Sequence, residues 1–224
     1  MSRQIGDIPT RIFKPGDVIF REGDDAKGEA FIVHSGKVEI RQLNDYALSK
    51  WVNEQQIMNS AAMHGTESVR VRLFNTYGPG EYYSPYRSVI CVFIYRALHD
   101  LPYKVYLGHH RTSSYVTDTC DSLAAIIDNF KPGEVYNIGG TEYHDIKSVS
   151  DLILDYLKKP SSLVEYLPAE PFTTADKRVS VEKAVRDLKH APKIPLALGI
   201  PKTIEWMRDV YVNRAGLAHL PDYL

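Results

Sequence analysis

The sequence predicts an α/β fold, in which a helix-rich α/β domain follows a short antiparallel β segment. From residue 44 onward, helical and strand patterns alternate along the chain, which is typical of α/β architecture. Residues 8–42 show only the apolar–polar alternation of short strands. The 224 residues are 44% hydrophobic and 25% charged, which is enough for a sizeable core in one or two domains.

The N-terminal β segment is predicted from three apolar pairs that alternate with polar neighbours: Val18 and Phe20, Phe31 and Val33, and Val38 and Ile40. Turn signals separate these pairs at Pro15-Gly16, Gly23 and Ser35-Gly36. Three short strands cannot bury both faces of a sheet. We therefore expect this segment to need a partner surface.

The remainder of the chain is predicted to alternate helices with strands. The predicted helices span residues 46–64, 87–100, 120–130, 146–159, 181–189 and 202–213. The predicted strands span residues 68–73, 104–107, 115–116, 134–138 and 163–167. Gly65 is expected to end the first helix, and Asp118 and Ser180 to cap the third and fifth. Pro201 is expected just before the last helix, at its first turn.

Composition excludes several classes of function. The net charge is −1, so no global field favours nucleic acid or an anionic membrane. No apolar run approaches the roughly 18 residues of a membrane-spanning helix. The two cysteines, Cys91 and Cys120, form no C-x-x-C motif, so we expect free buried thiols in a reducing cytoplasm rather than a disulfide or a zinc site.

Tyr46 and Lys50 are four residues apart in the first predicted helix, so they share one face. A lysine ammonium close to a phenol favours the phenolate, which can then act as a base near neutral pH. An exposed tyrosine and a solvated lysine would show the same spacing. The pair therefore indicates a catalytic role only in combination with the motif that follows it.

That motif is the strand end R-L-F-N-T-Y-G-P, from Arg72 to Pro79, which begins about two dozen residues further on. Taken alone, it is also typical of a strand that enters a turn. Together with Y-A-L-S-K at residues 46–50, it resembles the second half of an extended short-chain dehydrogenase/reductase of the NAD-dependent nucleotide-sugar epimerase and dehydratase family. The resemblance runs over about residues 44–211.

This resemblance implies a partial Rossmann-type domain with a small substrate-binding lobe, NAD as cofactor and a nucleotide diphosphate sugar as substrate. Tyr46 would exchange a proton with a sugar hydroxyl, and Lys50 would hold the nicotinamide ribose. Asn75 would hydrogen-bond near the substrate pyrophosphate. Arg111 and Arg178 lie in stretches that resemble the family's phosphate-binding arginines, and guanidinium groups grip phosphate oxygens well.

Simpler roles remain open for several of these residues. Arg111 could be an ordinary loop arginine and Arg178 a surface charge. Gly139 and Gly140 are expected to serve a tight turn, because they lack the G-x-G-x-x-G spacing of a dinucleotide loop. The adjacent histidines at 109 and 110 should point in opposite directions on an extended strand, so we expect no metal site.

Residues 8–42 resemble the opening strands of a cyclic-nucleotide-binding domain, through F-x-P-G-D at 13–17, Gly23 and Ser35-Gly36. A Gly-Glu phosphate-binding cassette does not follow the strand at 37–41. We therefore assign cyclic-nucleotide binding to none of these residues. The expected domains are residues 1–42 and 43–224.

Three functions follow from these patterns. The first function is that of the nucleotide-sugar-binding half of an NAD-dependent epimerase or dehydratase. We expect this half to be inactive alone, because the sequence contains no G-x-x-G-x-x-G loop for the cofactor and hydride transfer depends on the nicotinamide. The second is a self-associating, non-catalytic module and homo-oligomer, in which the apolar side chains Leu48, Trp51, Val52 and Met58 are exposed. The third is a cyclic-nucleotide-responsive fragment, which ranks last.

Overall fold

The structure is a computed structural model that describes residues 11–19, 35–36, 44–169 and 173–214. The chain divides into two compact units, Met1–Ile40 and Arg41–Leu224.

The described part of the first unit contains a turn at Pro15-Gly16, as predicted. The Asp17 amide donates to the carbonyl oxygen of Lys14 over 3.0 Å, and Gly16 has a φ of 95°, which favours glycine. Residues 11–19 contain no helix or strand, so Val18 does not lie in the strand predicted for it. Phe20 and the other two predicted strands lie outside the described residues.

The second unit contains six helices and eight strands among the described residues. The helices are α1 (Asp45–His64), α2 (Val89–Leu98), α3 (Val116–Asp128), α4 (Ile146–Leu157), α5 (Glu182–Leu188) and α6 (Leu196–Arg208). The strands are β1 (Arg70–Leu73), β2 (Thr76–Tyr77), β3 (Tyr103–Tyr106), β4 (His110–Thr112), β5 (Ser114–Tyr115), β6 (Val135–Ile138), β7 (Tyr143–Asp145) and β8 (Val164–Leu167). A 3-10 turn (Ser161–Leu163) precedes β8, and a π-helical turn (Asp209–Asn213) follows α6.

The strands pair in twos. Strand β1 pairs with β6, β2 with β5 and β3 with β8, all in parallel, and β4 pairs with β7 in antiparallel fashion. Parallel strands connected through helices require crossover connections. The mixed α/β, Rossmann-like fold class predicted from the sequence is thus confirmed.

Two apolar clusters hold these elements together. The larger joins α2, α4, α6 and β3 through fully buried side chains such as Ile94, Val105, Ile153 and Ile204. The smaller lies around β6 and α5 and contains Tyr136, Ile138, Ala184 and Leu188. The larger cluster supports one wall of the candidate site, because Ile90, Ile146 and Val149 belong to both.

Helix α1 begins one residue before its predicted start and ends where the sequence predicts. The Asn44 side chain accepts from the Ala47 amide over 2.9 Å, and Gly65 ends the helix with a φ of 65°. No residue of α1 is buried. The helix is tied to β1 by two hydrogen bonds, in which Arg72 donates to both carboxylate oxygens of Glu54 over 2.6 and 2.7 Å.

The predicted caps of the third and fifth helices are wrong. Helix α3 begins at Val116, so Asp118 lies inside its first turn. The buried Asp118 carboxylate accepts instead from the amides of Lys193 and Ile194 over 2.9 and 3.0 Å. Helix α5 begins after Val181 without a side-chain cap, which leaves Ser180 outside it.

The last helix also begins earlier than predicted. Helix α6 starts at Leu196 and contains Pro201 in its interior, where proline removes one backbone hydrogen bond. Burial of Leu196 and Ile200 offsets this cost, since each fully buried aliphatic side chain contributes about 1.5–3 kcal/mol.

Two further expectations can be compared with the described residues. Cys91 is buried and Cys120 is exposed, so the predicted burial of both thiols is wrong for Cys120. Burial raises the pKa of Cys91 to about 12. No helix in the described ranges has the length and apolar character needed to cross a membrane.

Candidate functional site

The candidate site is a cavity of about 210 Å³ in the second unit. Its lining combines polar residues with an aliphatic wall: Asn75, Tyr77, Arg87, Ser88, Val89, Ile90, Arg111, Ser113, His144, Ile146 and Val149. Arg87 and Val89 are exposed, whereas Tyr77, Ser113 and His144 are buried. The cavity therefore has one positive charge at its exposed edge, and its buried part combines the Arg111 guanidinium, hydroxyl groups and an imidazole with aliphatic side chains.

Asn75 lies between β1 and β2, directly before β2. Its φ of 46° is in the left-handed region, which asparagine tolerates better than most residues. Its Nδ2 donates to the carbonyl oxygen of Thr112 over 3.0 Å, and the Ser114 amide donates to its carbonyl oxygen over 3.2 Å. These bonds hold Asn75 against the β4–β5 segment and at the cavity wall.

Arg111 is a buried residue of β4 that lies opposite His144 in β7. Its Nη1 donates to the carbonyl oxygens of His110 and Ala175, both over 2.7 Å, and its Nη2 lies 3.3 Å from His109 Nδ1. The open interpretation of Arg111 as a loop arginine is wrong, since it belongs to a strand. Asn75 and Arg111, which are far apart in the sequence, line the same cavity.

The cavity also contains residues that sequence reasoning missed. Arg87 supplies a positive charge at the rim, and Ser88 is the N-cap of α2. The Ser88 amide and hydroxyl both donate to the Glu81 carboxylate, over 2.9 and 2.7 Å, so that carboxylate occupies the start of α2. Ser88 itself was the available signal, because serine is a preferred N-cap, but the predicted helix began one residue before it, at residue 87.

Ser113 and His144 form a buried hydrogen-bonded pair across the β4–β7 region. Ser113 Oγ lies 3.2 Å from His144 Nε2, and His144 Nδ1 lies 3.1 Å from the Glu142 carbonyl oxygen. Burial lowers the pKa of His144, which favours the neutral imidazole. The two residues are 31 positions apart and no local pattern in the sequence links them.

Gly140 brings another strand end close to this pair. An added Cβ at Gly140 would lie 1.9 Å from the carbonyl oxygen of Ser113. Neither Gly139 nor Gly140 has a positive φ. The second glycine is therefore required for close backbone approach, and not for the tight turn that the sequence suggested.

Tyr77 lies at the buried end of the cavity, with 2% of its surface exposed. Among the described residues, its hydroxyl has no hydrogen-bond partner. Burial is the main cause that raises the pKa of Tyr77 well above its ordinary value, and the Glu142 carboxylate adds to the effect. The hydroxyl stays protonated at neutral pH, and it packs against α6, where an added Cβ at Gly199 would lie 2.1 Å from it.

Tyr46 and Lys50 lie together on α1 and not at the cavity. Lys50 Nζ lies over the Tyr46 ring, 5.1 Å from its centroid, and 72% of Tyr46 is exposed. Both side chains face solvent within the described structure, and neither lines the cavity.

Arg178 lies outside the cavity lining but next to β7. Its guanidinium carbon is 5.4 Å from the centroid of the Tyr143 ring, whose other neighbour is the stacked ring of His110. The Tyr143 hydroxyl donates to Asp176 over 2.5 Å, and this bond raises the pKa of Tyr143. Arg178 is therefore placed by an aromatic stack beside the strand that carries His144.

The adjacent histidines have different surroundings, as predicted from strand geometry. His109 is buried beside Arg111, and His110 lies 3.0 Å from the Asp176 carboxylate. Within the described ranges, no three His, Cys, Asp or Glu side chains form a group that could hold a metal ion.

Comparisons with known proteins identify the relatives of this chain. A family model described as the NAD dependent epimerase/dehydratase family matches residues 23–139. The chain is 28% identical over 179 residues to dTDP-D-glucose 4,6-dehydratase of Homo sapiens, which covers 76% of this chain and 50% of that protein. It is 27% identical over 209 residues to UDP-N-acetyl-alpha-D-glucosaminuronate decarboxylase of Bacillus cytotoxicus. This alignment covers 90% of this chain and 62% of that protein.

A solved structure shows the same fold. UDP-glucuronic acid 4-epimerase from Bacillus cereus, in complex with UDP-glucuronic acid and NAD, has a TM-score of 0.70 at 23% identity. The similarity covers 82% of this chain and 59% of that chain.

The fold and the cavity define a Rossmann-like α/β protein. The family match covers just over half of the 224 residues, and the chain belongs to the NAD dependent epimerase/dehydratase family. It spans about half the length of curated relatives such as the human dehydratase. The match begins at residue 23, inside the segment that resembles a cyclic-nucleotide-binding domain, and the comparisons give that second resemblance no support.

Proposed function

We propose that this chain carries the nucleotide-sugar-binding part of an NAD-dependent epimerase or dehydratase, and that the cavity binds a nucleotide diphosphate sugar. The observation that carries the proposal is the convergence of Asn75 and Arg111 on one cavity, with Arg87 at its rim. The relatives in the comparisons are named for dTDP-glucose, UDP-glucuronic acid and a related UDP-sugar. An amide and two guanidinium groups suit the phosphates of such ligands.

Arg178 is proposed as a further phosphate contact. Its exposed guanidinium rests on Tyr143, one residue before the cavity residue His144.

The residues of this chain that suit NAD would contact only the nicotinamide end of the cofactor. Tyr46 and Lys50 lie side by side on an exposed helix face, where they suit proton exchange and contact with a nicotinamide ribose. The pyrophosphate end needs a glycine-rich loop followed by a helix, and the sequence has no G-x-x-G-x-x-G motif. We infer that this chain does not turn over a nucleotide sugar unless another polypeptide segment supplies that site.

The test is calorimetric titration of the chain with dTDP-glucose, UDP-glucuronic acid and NAD. We expect saturable binding of at least one nucleotide sugar and none of NAD. Arg87→Ala should weaken nucleotide-sugar binding about ten- to a hundredfold, the effect of one charge-assisted hydrogen bond. Lys104→Ala, which removes an exposed positive charge on β3 away from the cavity, is the control and should bind normally.

Absence of nucleotide-sugar binding would contradict the proposed site. Binding of NAD with an affinity similar to that of a nucleotide sugar would contradict the inference about the cofactor. A response to cyclic AMP in the same assay would favour the cyclic-nucleotide-responsive fragment.

A second candidate function is a self-associating interaction module. It is favoured by the apolar surface of α1, where Leu48, Trp51, Val52 and Met58 are between 39% and 50% exposed. A helix face of this composition gains free energy when it is covered. Self-association and nucleotide-sugar binding are compatible within one chain.

A further inference from the structure

Arg87 lies in a loop that has no buried residue of its own. The loop spans residues 80–88, between β2 and α2, and each of its residues is half-buried or exposed. It brings Arg87 and Ser88 to the cavity. Because burial does not fix this loop, the position of the Arg87 guanidinium depends on individual contacts between the loop and the rest of the second unit.

One set of contacts shapes the loop and joins it to α2. The Ser88 amide and hydroxyl both donate to the Glu81 carboxylate, and the Arg87 amide donates to the carbonyl oxygen of Ser84 over 3.1 Å. The Cys91 thiol donates to the carbonyl oxygen of Glu81 over 3.4 Å. These bonds close the loop on itself and on α2, so other contacts must hold its central residues.

Tyr211, in the π-helical turn after α6, holds the central part of the loop. Its hydroxyl accepts from the Tyr83 amide over 2.8 Å, although the two residues are 128 positions apart in the sequence. Its ring lies edge-on to the Tyr95 ring, on which the Tyr83 ring is stacked, at centroid distances of 5.1 and 3.7 Å. The Tyr82 ring lies edge-on to Trp206 of α6. Aromatic side chains at the C-terminal end of α6 therefore contact the loop that carries the guanidinium.

Two features distinguish the Tyr211 hydroxyl from an ordinary packing contact. Tyr211 is 7% exposed, so water does not readily replace its oxygen as the acceptor for the Tyr83 amide. An amide left without an acceptor in such surroundings costs more than the bond itself contributes. The hydroxyl also comes from a π-helical turn, and such turns are rare and frequently lie at functional sites.

We propose that Tyr211 is a positioning residue for ligand binding, which acts through the Tyr83 amide to keep the 80–88 loop where Arg87 lies at the cavity. This inference rests on the proposed nucleotide-sugar site. Tyr211 itself does not line the cavity, so it should change the affinity for a ligand only through the loop.

The variant that tests this role is Tyr211→Phe, which removes the hydroxyl and keeps the ring. The probe is the tighter-binding of dTDP-glucose and UDP-glucuronic acid, and calorimetric titration measures its affinity. We expect binding to weaken about three- to tenfold, the effect of one hydrogen bond, because a displaced guanidinium loses part of its contact with the phosphates.

Tyr103→Phe is the matched control. Tyr103 is 4% exposed and belongs to the same apolar cluster as Tyr211, and its hydroxyl lies 2.9 Å from Ser150 Oγ. It does not line the cavity and makes no hydrogen bond to the loop through that hydroxyl. Both variants should lower the midpoint of urea denaturation, but Tyr103→Phe should leave the affinity within about twofold of the unaltered chain.

A double-mutant cycle shows whether Tyr211 acts through Arg87. In the Arg87→Ala background, Tyr211→Phe should change the affinity by less than about twofold, because the group that it positions is already absent. The decrease in the urea midpoint should be the same in both backgrounds. A merely structural role would move the midpoint and leave no coupling between the two residues in the affinity.

Hydrogen exchange of the amides in residues 80–88 provides a measurement that needs no ligand. Tyr211→Phe should speed exchange in this loop, because the Tyr83 amide loses its acceptor. Tyr103→Phe should leave exchange in the loop unchanged. Addition of the nucleotide sugar to the unaltered chain should slow it.

The outcomes separate this inference from the function on which it rests. If neither nucleotide sugar binds the unaltered chain, the proposed site fails and the inference fails with it. If one binds and Tyr211→Phe leaves its affinity unchanged, or Tyr103→Phe weakens it equally, the inference is overturned while the proposed function stands. Equal effects of Tyr211→Phe with and without Arg87, or unchanged exchange in the loop, would also overturn it.

Discussion

Asn75 Nδ2 donates a hydrogen bond to the main-chain carbonyl oxygen of Thr112 over 3.0 Å. This bond joins the end of β1 to the end of β4, next to Arg111, and so holds two predicted ligand-binding residues at one cavity. Asn75 also adopts a left-handed φ of 46°. The residue therefore has two structural roles, because it accommodates this backbone conformation and its side chain makes the contact with β4.

Substitution of Asn75 separates these two contributions. We expect Asn75→Ala to lower the free energy of unfolding by about 2 kcal/mol, from the lost hydrogen bond and the left-handed φ. Asn75→Gly loses only the hydrogen bond and should cost about 1 kcal/mol. Urea denaturation measures both values. Equal losses for the two variants would show that the left-handed backbone carries no cost at this position.

Gly140 is expected to be intolerant of any side chain. Its Cβ would meet the main-chain oxygen of Ser113 at 1.9 Å, so Gly140→Ala must displace backbone and should cost about 2–3 kcal/mol. Gly108→Ala is the control. Gly108 has a φ of 74°, and an added Cβ at this position would have no neighbouring atom within 4 Å. This variant should therefore lose only about 1 kcal/mol from backbone strain. Thermal and chemical unfolding compare the two. A Gly140→Ala loss no larger than that of Gly108→Ala would refute the close approach.

His144 should make the chain less stable in acid. Because burial lowers the pKa of His144 in the folded state, the unfolded chain binds a proton that the folded chain does not, once the pH falls below about 6.5. The free energy of unfolding should then decrease toward low pH by at most about 1.4 kcal/mol per pH unit from this residue.

The comparison variant is His144→Gln, which keeps a polar side chain without a titrating group. Stability is measured by denaturation between pH 8 and pH 5. The unaltered chain should lose stability relative to the variant as the pH falls from 6.5. Parallel pH profiles would mean that His144 has the same proton affinity in both states.

The apolar face of α1 predicts self-association. Trp51 is 50% exposed on this helix, and Trp51→Lys places a charge in the middle of the face. Sedimentation or light scattering should show that this variant shifts toward monomer relative to the unaltered chain. The control is Ile127→Lys, which changes an 82% exposed side chain on a different helix, α3. A monomeric unaltered chain would contradict the prediction, as would an equal effect of both variants.

The sequence predicted well those elements whose patterns are local. Helix α1 begins one residue before its predicted start and ends where Gly65 was expected to end it. Strands β1, β3, β6 and β8 lie within one or two residues of the predicted ranges or inside them. Each has apolar side chains at alternate positions and turn residues on both sides, which is the signal that strand prediction uses.

The errors arise where tertiary contacts outweigh a local signal. Asp118 has the residue type of a helix cap, but its carboxylate binds the amides of Lys193 and Ile194 from another segment. Pro201 suits a first helical turn, yet burial of Leu196 and Ile200 extends α6 ahead of it. No local pattern reports such distant partners.

The site was predicted only in part for the same reason. Asn75 and Arg111 belong to motifs, so the sequence could name them. Ser113 and His144 become partners only when β4 and β7 pair, and neither residue has a local signature. The proposed roles of Tyr46, Lys50 and Arg178 stay predictions, and for Tyr46 an active assembly with unchanged turnover after Tyr46→Phe would contradict its role.

We propose that this chain binds a nucleotide sugar at the cavity and that the dinucleotide site is supplied by another polypeptide segment. The most direct measurement is a crystal structure of the chain grown with both UDP-glucuronic acid and NAD. We expect density for the nucleotide between Arg87, Arg111 and Ser113, with no ordered dinucleotide. A dinucleotide seated on this chain, or a nucleotide sugar bound away from that cavity, would contradict it.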